Sequence, residues 1–333
     1  MKKQAKTYFP NLDATRFFAF LPVFFTHVFF TSNPQLKSTT AFHFIENHMK
    51  VGILGLDYFF VLSSFLITWI ILEEYGNTGA FQFKNYFIRR SLRIWPLYFL
   101  IVLGTYFFAT FLHPIDLPPL AAFLFFVSNF YIVYHGDAFL FLLVILWSVS
   151  VEEQFYLIWA LVLKYLKNFL VPIALGFILL SLMFRYSALQ EQKELYFHTF
   201  STLANFAIGA LLAHSCFYRN KLYHFLKSIP RVQMASLAFL FFLNVIFYKD
   251  IYAVPLMQVF ERLIFSLFFA LLIFDQCFSE KAVMHLGKWN FSNYFGNASF
   301  GLYCYHGIVI TLFIKLEEHF FFFFSLIQVI FIN

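Results

Sequence analysis

Nine apolar runs restrict this chain more than any other feature: 14–32, 52–72, 94–112, 147–166, 168–184, 199–214, 232–248, 257–278 and 299–316. Crossing the hydrocarbon of a bilayer takes about 20 apolar residues in a helix. A shorter apolar tail follows at 319–332, and the stretch 120–146 is apolar but broken by His135-Gly136-Asp137. Hydropathy leaves that stretch as either a re-entrant segment or two short spans. Hydrophobic types make up 61% of the 333 residues and charged types 12%, where soluble domains carry about 45–50% and 25%. With Phe 55, Tyr 19 and Trp 5, a water-soluble monomer has nowhere to hide its apolar surface. The expectation is an all-α, polytopic transmembrane helix bundle of about ten spans. It forms one domain over 1–333, with no large soluble domain at the C-terminal end.

The net charge of +6 matters less than where the charges fall. With the N-terminus inside, fifteen Lys and Arg residues lie on the cytoplasmic face and six on the other, while Arg16 and Arg262 fall within spans. That asymmetry obeys the positive-inside rule, and the reversed topology would break it. Lys2, Lys3 and Lys6 look like the start of a signal peptide. The run behind them carries Arg16 and His27 and has no small-residue cleavage site, so it reads as an uncleaved first span. No stretch mixes dense basic residues with exposed aromatics, so no nucleic-acid partner is expected. Cys216, Cys277 and Cys304 are too scattered for a disulfide framework or a zinc site. His43, Glu46 and His48 have metal-like spacing, but a solvated loop explains them better, and no metal is expected.

Ionisable groups inside a bilayer cost roughly 2.5–3.5 kcal/mol each on insertion scales, so each needs a reason. The first span carries Asp13, Arg16 and His27. An eleven-residue separation is three helical turns plus roughly 20°, so Arg16 and His27 share a face about 16 Å apart. The second span opens with Asp57 and holds Ser63 and Ser64, small hydroxyls that also suit close helix packing. Arg89, Arg90 and Arg93 crowd the entrance of the third span. Orientation alone accounts for some of this charge, yet Arg90 and Arg93 at i, i+3 also suit a forked grip on polyphosphate. Trp147 through Tyr156 places Glu152, Glu153 and Gln154 at the mouth of another span. Adjacent side chains differ by about 100°, so one of the two carboxylates faces any given cavity. Ser299 through His306 opens the ninth span with a second intramembrane histidine.

In this order the segments resemble the family 3 integral-membrane acyltransferases, bacterial enzymes that O-acylate surface polysaccharides and related acceptors. The matching pieces are Leu12-Asp13-Ala14-Thr15-Arg16 with His27, Asp57 through Ser63, Arg90-Ser91-Leu92-Arg93-Ile94 with Pro96 and Tyr98, Trp147 through Tyr156, and Ser299 through His306. Ala14 and Ser64 stand where the family usually has glycine, which adds volume at two close-packed points. The resemblance implies transfer of an acyl group, acetyl by default, from cytoplasmic acetyl-CoA or another acyl-CoA. The acceptor would be a hydroxyl of a glycan or lipid-linked polysaccharide at the outer side of the cell (inner) membrane, among membrane lipids. His27 would be general base or transient acyl carrier. Arg16, Arg90 and Arg93 would hold the CoA phosphates or line the donor path. Glu152 or Glu153, with Asp57, would orient imidazole or acceptor. Asp13, Ser63, Trp147, Tyr156 and His306 would support the site. From the residues alone, the same intramembrane charges also fit a proton-coupled transporter or exporter of a lipid-linked glycan. The inverted repeats common in such proteins are not visible here.

Overall fold

A computed structural model describes residues 7–28, 38–40, 42–43, 51–109, 117–137, 140–279, 282–283, 286–313 and 316. Among them the chain forms helices and turns and no strand. Helix α1 covers Asn11–Val28, α2 Gly52–Thr78 and α3 Phe83–Ala109. Three short pieces follow: α4 (Leu120–Leu124), α5 (Ser128–His135) and α6 (Phe141–Val144). Next come α7 (Trp147–Leu166), α8 (Leu170–Ser187), α9 (Gln192–Phe197) and α10 (Thr199–Tyr218). The chain continues through α11 (Lys221–Ser228), α12 (Arg231–Ile246), α13 (Tyr248–Ile251), α14 (Pro255–Phe278) and α15 (Asn290–Asn297). Helix α16 spans Ser299–Phe313.

Helix directions follow from which side chains meet. Phe60 packs on Phe206 at 5.0 Å and, about two and a half to three turns on, Trp69 packs on Phe217 at 5.4 Å, so α2 and α10 run parallel. Thr15 meets Tyr58 while Thr26 meets Gly52, so α1 runs the other way. Trp159 and Phe177 have ring centroids 5.9 Å apart. A straight helix would separate those residues by about 27 Å, so the chain doubles back at the 3₁₀ turn Lys167–Phe169. One end of the bundle therefore gathers Lys84, Arg89, Lys164, Lys167 and the α10–α12 connection with Arg219, Lys221, Lys227 and Arg231. This is the basic end; the C-terminus of α1 lies at the opposite one.

Small residues let the backbones touch. A Cβ on Gly209 would sit 2.1 Å from the Val61 carbonyl oxygen, and one on Gly55 would sit 2.2 Å from that of Ala19. Such contacts drive helix association where lipid supplies no hydrophobic force between helices.

The structure alters several expectations. Among the described residues, five helical stretches can cross a membrane by length and composition, or up to six if the pair α11 and α12, bent by 92°, counts as one span. One of the five is the doubled-back stretch Phe141–Ser187. Helices α1 and α16 fall outside that set and the tail 319–332 lies outside the described residues, so the count among the described residues is five to six where the sequence suggests about ten. The all-helical, multi-pass membrane architecture stands. Helix α3 begins at Phe83, ahead of the apolar run that starts near 94, and Lys84 and Arg89 are good helix formers that suit this extension. The arginines thus lie about two to three turns into α3 and still precede the apolar run at 94. The stretch 120–146 resolves into α4, α5 and α6, of which the longest has 8 residues, about 12 Å. None crosses. Phe126 takes φ 53° and Gly136 φ 92° at the breaks. Freed backbone there finds protein partners: Tyr98 donates to the Phe123 carbonyl (3.1 Å) and Gln154 to that of Phe126 (2.7 Å). Irregular backbone survives at membrane depth only when satisfied in this way. Of the metal-like trio, His43 is exposed, while Glu46 and His48 lie outside the described residues.

Candidate active site

Helices α1, α2, α3, α7 and α16 enclose a cavity of about 430 Å³. Arg16, Arg90 and Arg93 line it together with Asp13, Ser63, Glu152, Tyr156, Ser148 and Tyr303. Asp13 sits in the first turn of α1, where the helix dipole favours a carboxylate. It is buried, pairs with Arg16 one turn further along α1, and accepts a hydrogen bond from Tyr8. That bond pushes the Tyr8 phenol, ahead of α1, above its usual range. The Arg16 side chain stays 16% exposed, so its guanidinium reaches the cavity while held by Asp13.

Across the cavity, Ser63 donates to Glu152 Oε1 at 3.3 Å and Tyr156 donates to Glu152 Oε2, with the two hydroxyls 3.0 Å apart. Arg90 lies flat on Tyr156, its guanidinium carbon 3.5 Å from the ring centroid. This stacking orients the fork at little entropic cost. Arg90 Nε is buried without a hydrogen-bond partner. Three guanidiniums thus face two carboxylates, one of each already paired, which leaves the cavity lining with a surplus of positive charge.

The two adjacent glutamates part company, as helical geometry requires. Glu152 lines the cavity, whereas Glu153 accepts from Trp95 Nε1 at 2.9 Å on the neighbouring face of α7. Trp147 packs on Tyr196 and Phe197 at 5.3 and 5.1 Å and supports the start of α7.

His27 is half-buried at the opposite end of α1 and does not line the cavity. Its Nδ1 lies 3.1 Å from Nε2 of the buried His306, and its ring stands edge-on to Phe141 at 4.9 Å. His306 Nδ1 contacts the carbonyl of Tyr303. Tyr303 is also a cavity wall, its hydroxyl 2.7 Å from Ser148 Oγ. The imidazole pair and the cationic cavity therefore adjoin at Tyr303.

Asp57 is not placed at an imidazole or at the cavity. It is fully buried against Arg262 at 2.6 Å, and Arg262 also donates to the Tyr196 carbonyl at 2.9 Å. A desolvated carboxylate is held by a charge, and Arg262 is the charge within reach. Nearby, Arg185 pairs with Glu261 at 2.9 Å, and Tyr248 donates to the same carboxylate. Sequence reasoning left Arg185 and Glu261 unassigned and noted Arg262 only as lying in a span. The unexplained charge in the apolar run 257–278 was the available signal. It also missed the Ser148–Tyr303 link, which nothing local announces.

The chain is 28% identical to the Bacillus subtilis protein named "Putative peptidoglycan O-acetyltransferase YrhL", over 95% of this chain and 51% of that one. It is 31% identical to the peptidoglycan O-acetyltransferase OatA of Listeria monocytogenes, over 54% of this chain and 29% of that one. The chain thus spans about half, or less, of the length of these relatives. No solved structure matches it. The family described as "Acyltransferase domain" matches residues 9–332. With its helices, cavity and motifs covered almost end to end by that match, the chain belongs to the integral-membrane acyltransferase 3 family.

Proposed function

We propose that the protein is an O-acyltransferase of the cell (inner) membrane. It moves an acyl group, acetyl by default, from acyl-CoA to a hydroxyl of a cell-surface glycan or lipid-linked polysaccharide. The basic end faces the cytoplasm, in accord with the positive-inside rule. The relatives named as peptidoglycan O-acetyltransferases support this chemistry and make peptidoglycan the first acceptor to try.

The observation that carries the reading is the convergence of Arg16, Arg90 and Arg93 on one cavity that adjoins the His27–His306 pair at Tyr303. CoA is a polyanion, and forked guanidiniums suit its phosphates better than lysines do. Neither Arg90 nor Arg93 has an ion-pair partner among the described residues, so their charge is left for such a ligand. His27 takes the proton of the acceptor hydroxyl as its oxygen attacks the thioester carbonyl. A C–O bond forms, the C–S bond breaks, and the proton passes from His27 to the departing CoA sulfur. Glu152, held by Ser63 and Tyr156, balances the cavity's cations and keeps Arg90 on its stacking partner.

The test is transfer of labelled acetyl from acetyl-CoA to soluble peptidoglycan fragments by the full chain in nanodiscs. His27→Ala is expected to lose at least about 100-fold in kcat, the usual worth of a general base. Wild-type turnover by that variant overturns the role of His27. Glycan flux across a vesicle membrane without acyl-CoA overturns the acyltransferase reading in favour of transport.

A further inference from the structure

The two histidines constrain each other's protons. His306 Nδ1 lies against the carbonyl oxygen of Tyr303, three residues earlier on α16. A carbonyl only accepts, so this nitrogen carries a hydrogen. The ring is buried among Phe20 at 5.7 Å, Phe141 at 6.5 Å and Tyr303 at 5.3 Å, and His27 is the titratable side chain that faces it from α1. Among the described residues no carboxylate pairs with either imidazole. A second proton would place an uncompensated cation in an apolar shell, so the resting ring is neutral. A neutral imidazole protonated at Nδ1 offers a lone pair at Nε2. That nitrogen is 3.1 Å from His27 Nδ1, so His27 Nδ1 must donate.

We propose that His306 is a positioning residue that holds His27 in its Nδ1–H form, so that His27 Nε2 is the basic atom. Relayed from the Tyr303 carbonyl, the order is fixed: His306 donates to the carbonyl, His27 donates to His306, and the remaining nitrogen of His27 is bare. Half-buried His27 has no other hydrogen-bond partner among the described residues. The arrangement does with a neutral imidazole what a buried carboxylate does in a serine-protease triad. When Nε2 takes the hydroxyl proton, the Nδ1–H···Nε2 bond to His306 becomes charge-assisted and strengthens, which favours the transition state over the ground state. This inference rests on the reading of His27 as the base.

The experiment compares His27→Ala, His306→Phe and His306→Gln in the full chain in nanodiscs, with acetyl-CoA and soluble peptidoglycan fragments as probes. Phenylalanine keeps the ring volume but accepts nothing, whereas the glutamine amide oxygen can accept where Nε2 did. His306→Phe is expected to lower kcat at least about tenfold, with KM for acetyl-CoA within about twofold, and His306→Gln to regain most of the loss. ¹⁵N NMR of histidine-labelled protein, assigned with the His27 variant, is expected to find His27 protonated at Nδ1 in the wild type and in His306→Gln. Because the wild-type spectrum stands alone, failure of a variant to fold leaves the test intact. An Nε2–H form of His27 in the wild type overturns the proposal, as does wild-type kcat in a folded His306→Phe. An active His27→Ala instead sinks the base reading itself, and the two failures are thereby distinguished.

Discussion

Arg262 donates to Asp57 across 2.6 Å at a point where the two residues are 1% and 0% exposed, although 205 positions separate them in the chain. Breaking a buried pair from one side strands a charge, at a cost of about 3–5 kcal/mol. Arg262→Met is therefore expected to lower the Tm in detergent sharply. The double variant Asp57→Leu/Arg262→Met removes both charges and should recover much of the loss. Thermal unfolding of the two purified variants checks this; equal losses would contradict it.

Close backbone approach makes a second prediction. Gly209→Ala drives a methyl into the Val61 carbonyl, whereas a Cβ on Gly104 meets nothing within 4 Å. Overpacking costs about 1–3 kcal/mol, so Gly209→Ala should melt earlier than wild type. Gly104→Ala should melt at or slightly above it, because alanine favours the helix. Parallel melts of the two variants decide the matter.

Arg90 combines a forked donor with a flat face on Tyr156. Lysine retains the charge but neither property. Given that a hydrogen bond to a charged group contributes about 1.5–3 kcal/mol, Arg90→Lys should raise KM for acetyl-CoA by roughly tenfold or more. Its kcat should change little. Steady-state kinetics with varied acetyl-CoA measures the split.

Neighbouring glutamates should respond in opposite ways. Glu152 lines the cavity with Arg90, while Glu153 accepts from Trp95, a role an amide oxygen also fills. Glu153→Gln should keep near wild-type transfer. Glu152→Gln removes a negative charge beside three arginines and should lower kcat/KM, read in the same acetyl-transfer assay.

Much of this architecture is legible along the chain because the relevant signals are local. The apolar runs announced the helices, since a backbone without water must satisfy its own hydrogen bonds. The i, i+3 pair Arg90 and Arg93 and the 100° offset of Glu152 from Glu153 follow from helix geometry. Where local signals conflict, reading fails. Charge at 84–93 suggested a late start for the third span, yet helix α3 reaches back to Phe83, ahead of the apolar run. The apolar content of 120–146 hid three short helices broken at Phe126 and Gly136.

Which residues carry charge or a titratable ring inside the bilayer was thus written in the order of the amino acids. Partnership was not. Asp57 near the imidazoles was a reasonable expectation, but α2 and α14 pack so that Arg262 reaches it first. His27 and His306, 279 positions apart, meet because the last turn of α1 packs beside the middle of α16. Spacing along a helix sets the face a side chain occupies, while the neighbour it meets depends on which helices pack together and at what height. That choice belongs to the whole set of interlocking surfaces, glycine contacts included, and no single segment contains it.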